Sequence, residues 1–133
     1  MEWITNSKSE DLVGASLETL HAQSREWLNE IDFWSEEMTF FYNLIHRSEP
    51  RIFFPTAGLA DLERRLITLT SDHLTKLKID IENHERVLAA MVKNISLEEE
   101  REYRERHRGL VGEMYELDEV IRKFKKTVFS FVD

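Results

Sequence analysis

Residues 27–41 read Trp27-Leu28-Asn29-Glu30-Ile31-Asp32-Phe33-Trp34-Ser35-Glu36-Glu37-Met38-Thr39-Phe40-Phe41. Trp27, Ile31, Trp34, Met38 and Phe41 recur at spacings of four and three, which puts them on one face of a helix. A strand has a period of two and cannot gather these side chains on one side. The pattern extends backwards through Val13, Leu17, Leu20 and Ser24 and forwards to Ile45, a heptad seam of the kind that packs helices in shallow crossings. Ser7-Lys8-Ser9-Glu10 has the form of a capping box, so the first helix is expected from about Ser9 to about Arg47.

Two breaks divide the rest of the chain. Pro50 and Pro55 bracket Arg51-Ile52-Phe53-Phe54, and the residue before each proline is pushed out of the helical region. Ile52, Phe53 and Phe54 are apolar enough to plug one end of a bundle or to form a docking patch. A second helix then runs from about Ala57 to about Lys93, with a central stripe of Leu59, Leu62, Leu66, Leu69, His73, Leu77, Asp80, His84, Leu88, Met91 and Ile95. Its 73-to-77 step is a stutter in the heptad. Ile67, Leu74, Ile81 and Leu88 form a flanking stripe, so the apolar face is wide. Asn94 suits a left-handed helix end, and Ser96-Leu97-Glu98-Glu99 opens the third helix with another capping box. Tyr103, His107, Leu110, Met114, Leu117, Ile121, Phe124, Val128 and Phe131 carry its seam to about residue 131. Gly109 and Gly112 inside it suggest close packing or a slight kink. The expectation is one all-α domain over 1–133: an elongated antiparallel three-helix bundle with coiled-coil-like heptad packing, about 50–60 Å long.

Composition narrows the function. One-third of the residues are charged and the formal charge is −8. Nucleic acid and a bare anionic membrane surface are therefore poor partners. The basic cluster Arg122, Lys123, Lys125 and Lys126 lies near a helix C-terminus, where the macrodipole favours cations. The dense charges between Glu98 and Arg106 pair four residues apart, as on a solvated face. Cysteine is absent, which excludes disulfides and thiolate chemistry and fits a reducing compartment. The N-terminal residues lack a basic region and an apolar stretch, so no signal peptide is expected there. No uncharged run approaches the roughly 20 residues of a membrane span. A cytoplasmic protein is the expectation.

Two features invite a site. Ser24, His73, Asp80, His84 and His107 are polar residues at core positions, where burial costs free energy unless partners are found. The breaks place His21 level with His84, Glu18 with His107, and Ser24 with Asp80, within about one helical turn. His21, Asp80, His84 and His107 together would offer imidazole and carboxylate donors to zinc or iron. Glu18-x-x-His21 has the spacing of one ligand unit of a di-iron bundle, but only one such unit exists and a fourth helix is missing. The competing reading is a hydrogen-bonded polar layer that fixes helix register, with no cofactor at all. No glycine-rich phosphate loop and no nucleophile–base–orienter pattern is present.

The other feature lies outside the seam. Phe33 and Phe40 fall at the outward c position, and with Glu37 and Leu44 they form a second stripe. An exposed apolar patch of this kind marks an interface, with a second copy or with another protein. Alternatively the seam is locally rotated and the rings are core. Glu37 would then lie among aromatic rings as a further candidate site, against the plainer reading of a salt-bridged rim residue.

The 27–41 stretch resembles a pattern of small bacterial long-helix bundle proteins: Trp, then Glu-Ile or Glu-Leu, an aromatic pair, then Glu-Met or Glu-Leu and Phe. The resemblance implies the fold and a bacterial cytoplasm, and it carries over no site. The leading expectation is a non-enzymatic interaction or scaffold protein that self-associates through the helix 1 stripe. A metal-binding bundle and an acidic inhibitor or immunity-type partner of a basic protein are the alternatives.

Overall fold

The structure is a computed structural model that describes residues 16–48 and 56–132. It is all-α: α1 spans Leu17–Ser48, α2 Thr56–Thr68, α3 Thr75–Met91 and α4 Leu97–Val132. A six-residue π-helical stretch, Leu69–Leu74, joins α2 to α3 in one continuous rod, so the described residues form a bundle of three rods. Among the described residues there is no strand, and no helix is long and apolar enough to cross a membrane.

α1 starts later than the sequence suggests, at Leu17. Ser16 is its cap: the Ser16 Oγ accepts the Thr19 N–H at 3.1 Å. The Ser7–Glu10 box, Val13 and the Ile52–Phe54 segment lie outside the described residues. From Leu20 to Ile45 every seam position of α1 is buried, as is every seam position of α4 from Tyr103 to Val128. Contacts between rods run in opposite chain order. His21 meets Glu85, Asp32 meets Lys78 and His46 meets Glu63, while on the other side Arg65 lies over the Phe124 ring.

The second rod departs from its expected stripe. His73 is exposed and Asp80 only half-buried, whereas Leu74 and Ile81 are buried. The cause is the π turn. The Thr75 N–H donates to Thr70 O, five residues back, and the Thr75 hydroxyl donates to the same oxygen at 2.9 Å. One extra residue is absorbed between Leu69 and Leu74, so both leucines face inward and His73 swings out. After the turn the buried positions are Leu77, Ile81, His84, Leu88 and Met91.

The connection to α4 also differs. Asn94 does not adopt positive φ, and Ile95 is exposed. The chain leaves the helix at Met91, with the Asn94 N–H donating to Met91 O at 3.1 Å. Ser96 does cap α4, accepting the Glu99 N–H at 3.1 Å. Gly109 and Gly112 are exposed and have open space around them, so close packing is not their role. Gly58 has that role instead, because a Cβ there would overlap the Phe131 ring.

Apolar burial separates into two clusters. The larger runs from Trp27 and Leu110 to Ile45 and Val128. The smaller, at the end nearest the α3–α4 connection, contains among the described residues only Leu20, Leu88, Met91 and Tyr103, with Leu17 packed against it. The polar residues of the core lie where the two meet.

Candidate functional site

The polar layer is assembled by all three rods. α1 supplies Ser24 and Trp27 on its seam and Gln23 beside them. α3 supplies His84, brought inward by the register that the π turn sets. α4 supplies Tyr103 and His107, four residues apart and thus on one face. His84 and His107 are both almost wholly buried, at 3% and 1% exposure.

The Nε2 of His84 lies 3.0 Å from the Nδ1 of His107, and the Nε2 of His107 lies 2.7 Å from the Oε1 of Gln23. A carbonyl oxygen only accepts, so His107 carries its proton on Nε2 and leaves Nδ1 free to accept from His84. The chain of bonds therefore runs His84 Nε2–H to His107 Nδ1, and His107 Nε2–H to Gln23, with both imidazoles neutral. Rings pack on both sides. His84 stacks on Tyr103 at 4.1 Å and 3°, and His107 stacks on Trp27 at 4.6 Å and 28°.

Burial keeps these rings uncharged. It pushes the His84 imidazole down to about 4, with the Arg106 guanidinium adding to the effect. It pushes His107 down to about 3, aided by His84 and Arg104. The Tyr103 phenol is driven upward, first by burial and then by the Glu85 carboxylate; the Ser24 hydroxyl and Arg104 act the other way. The Ser24 and Tyr103 oxygens are both fully buried, and neither completes a hydrogen bond of normal geometry among the described residues.

On its outer side the layer borders a groove of about 420 Å³ between α3 and α4. His84, Tyr103, Val87 and Met91 line it, with Asp80, Glu102 and Arg106 also contributing. His84 is thus the one imidazole of the pair that faces both the layer and a surface depression.

The structure brings together two of the four residues singled out for metal. His21 turns to Glu85, with Nδ1 and Oε2 2.5 Å apart. Asp80 pairs with Lys76 at 3.1 Å. Glu18 is exposed, and Gln23, rather than Glu18, stands level with His107. Among the described residues no three His, Asp or Glu side chains gather as a ligand set. His84 and His107 are engaged with each other in a hydrogen-bonded layer.

No family model, curated protein or solved structure matches the chain.

The outer face of α1 is the second candidate. Phe33 and Phe40 are 54% and 52% exposed, so the seam is not rotated at this point. Glu37 between them pairs with Lys125 of α4 at 2.7 Å, and Leu44 is half-buried against the main core. Phe40 meets Phe41 edge-on at 5.4 Å, and Phe41 meets Phe129 of α4 at the same distance. Phe129 is itself 44% exposed, which extends the aromatic face onto a second helix.

Sequence reasoning misses Gln23, because it lies off the seam, and Phe129, because nothing in the spacing of α4 ties it to the α1 stripe. Tyr103 and Trp27 read as core, which they are, but their stacking on the histidines has no signal in spacing alone.

Proposed function

We propose that this chain is a non-enzymatic helical-bundle interaction protein that joins a second copy of itself through the aromatic face of α1. The observation that carries the proposal is the half-exposure of Phe33 and Phe40, one heptad apart on a helix whose seam is already fully used inside the bundle. Apolar rings of this size cost free energy when left in water, about 25 cal/mol for each Å². Glu37, between the two rings, is paired with Lys125 of α4, so its charge is matched within the chain. Phe129 broadens the face across the α1–α4 seam. A stable dimer buries on the order of 800 Å² per partner. The rings would act as anchors at the centre of such a contact, with neighbouring polar residues as its rim.

Size-exclusion chromatography with light scattering over a concentration series tests this. The wild type is expected to run as a dimer or larger assembly. The double variant Phe33→Glu/Phe40→Glu is expected to run as a monomer of unchanged helicity. A wild type that stays monomeric at every concentration would sink the proposal.

A further inference from the structure

We propose that the His84–His107 layer is an acid-operated latch: a proton added to either ring releases the small end cluster while the main core stays folded. The geometry makes the end separable. The layer stands where two apolar clusters meet, and among the described residues the end cluster has only Leu20, Leu88, Met91 and Tyr103 buried. Subglobal openings of this kind follow the boundaries of packing units.

The bond pattern makes the layer intolerant of an extra proton. His107 Nδ1 accepts from His84 Nε2–H, and protonating it would set two N–H groups against each other across 3.0 Å. Protonating the other His84 nitrogen would put a cation into the buried stack with Tyr103. Among the described residues that face the pair, no carboxylate is hydrogen-bonded to either ring. From α1 come Gln23 and Ser24, both uncharged, and His21, which is engaged with Glu85. From α3 come Glu85, held by that same His21, and Asp80, held by Lys76. From α4 come the Arg104 and Arg106 guanidiniums, which repel a charged ring, together with Glu99 and Glu102 on the groove wall and the neutral Tyr103. Burial already holds both imidazoles far below their ordinary value, which stores the tendency to open on acidification. Because His84 lines the groove between α3 and α4, a proton has a route to it before the end opens.

The test is hydrogen exchange of the full chain followed by mass spectrometry, at about pH 7 and about pH 4.5, corrected for intrinsic exchange. Residues 17–24 and 84–105 are expected to lose at least about tenfold in protection, and residues 31–45 and 114–128 to keep theirs. Equal loss across the chain would mean global unfolding, and no loss would mean no latch; either overturns the proposal. The variant His84→Gln/His107→Gln is expected to abolish the acid-dependent difference between the two ends. Persistence of that difference in the variant would assign it to carboxylates and also overturn the proposal. If the variant fails to fold, imidazole NMR titration of the wild type decides. Ring protonation coincident with end opening supports the latch, and end opening while both rings remain neutral refutes it.

Discussion

His84 donates from Nε2 to the Nδ1 of His107 at 3.0 Å, and this bond ties the second and third rods of the bundle at a level where neither is held by apolar packing alone. The His107 Nδ1 must be unprotonated to accept it, and burial disfavours a charge on either ring. The unfolded chain, with imidazoles near their ordinary value of about 6.5, binds more protons than the native state once the pH drops below that value. The native contribution is therefore complete above about pH 6.5 and is lost as the pH falls toward the depressed values of about 4 and about 3. Urea unfolding at a series of pH values should show stability falling by on the order of 2–4 kcal/mol through this window. A flat profile between about pH 7 and about pH 5 would contradict the buried neutral pair.

Among the described residues three glycines lie in helices but in opposite surroundings. Gly58 meets the Phe131 ring so closely that a methyl group would displace it. Phe131 packs against the main core, so Gly58→Ala is expected to cost about 1 kcal/mol despite the better helix propensity of alanine. Gly109 and Gly112 face open space. Their replacement by alanine is expected to stabilise the protein by roughly 0.5–1 kcal/mol each. Thermal melts of the three single variants check the opposed signs.

The contrast between rods shows what the sequence makes legible. On α1 and α4 the heptad runs without fault, and every seam residue from Leu20 to Ile45 and from Tyr103 to Val128 is buried. On the second rod the stutter after Leu69 leaves two stripes in competition. The structure uses Leu74 and Ile81 from one and Leu77 and His84 from the other. A π turn depends on backbone bonding around Thr70 and Thr75, which hydrophobic spacing does not report. The stripe of the second rod reads on through Ile95, whereas the helix ends at Met91, so the register expected against α4 is late. That offset puts Glu18 in the position that Gln23 occupies. His84 and His107 are legible as a pair because both interrupt seams with polar rings near the same end.

The π turn gives a deletion experiment with a clear sign. Removing Ser71, an exposed residue inside it, shortens the Leu69-to-Leu74 step from five residues to four, which an α-helix accommodates. Helicity should be kept and stability should change by less than about 1 kcal/mol. Removing Asn83, also exposed, rotates the remainder of α3 by about 100° and drives His84, Leu88 and Met91 off the core face. That deletion should cost several-fold more, seen as a large drop in melting temperature. Equal effects from the two would show that the turn is not absorbing an extra residue.

Glu30 offers a stabilising change at the α1–α4 seam. Burial raises its carboxyl above the ordinary value, with the Asp118 and Glu37 carboxylates adding to the effect and Lys125 partly opposing it. A carboxyl raised in the folded state binds its proton more tightly there than in the unfolded chain. Its contribution is present at acid pH and is lost as the pH rises through the folded value. At neutral pH the ionised group is a net burden, so Glu30→Gln should stabilise by a few tenths of a kcal/mol, roughly, because the site is partly open to solvent. The gain should vanish at about pH 3.5, where wild type and variant are both neutral at this position. Chemical unfolding at the two pH values separates this from a general packing effect. An equal gain at both would show that amide packing, not relief of charge, is the cause.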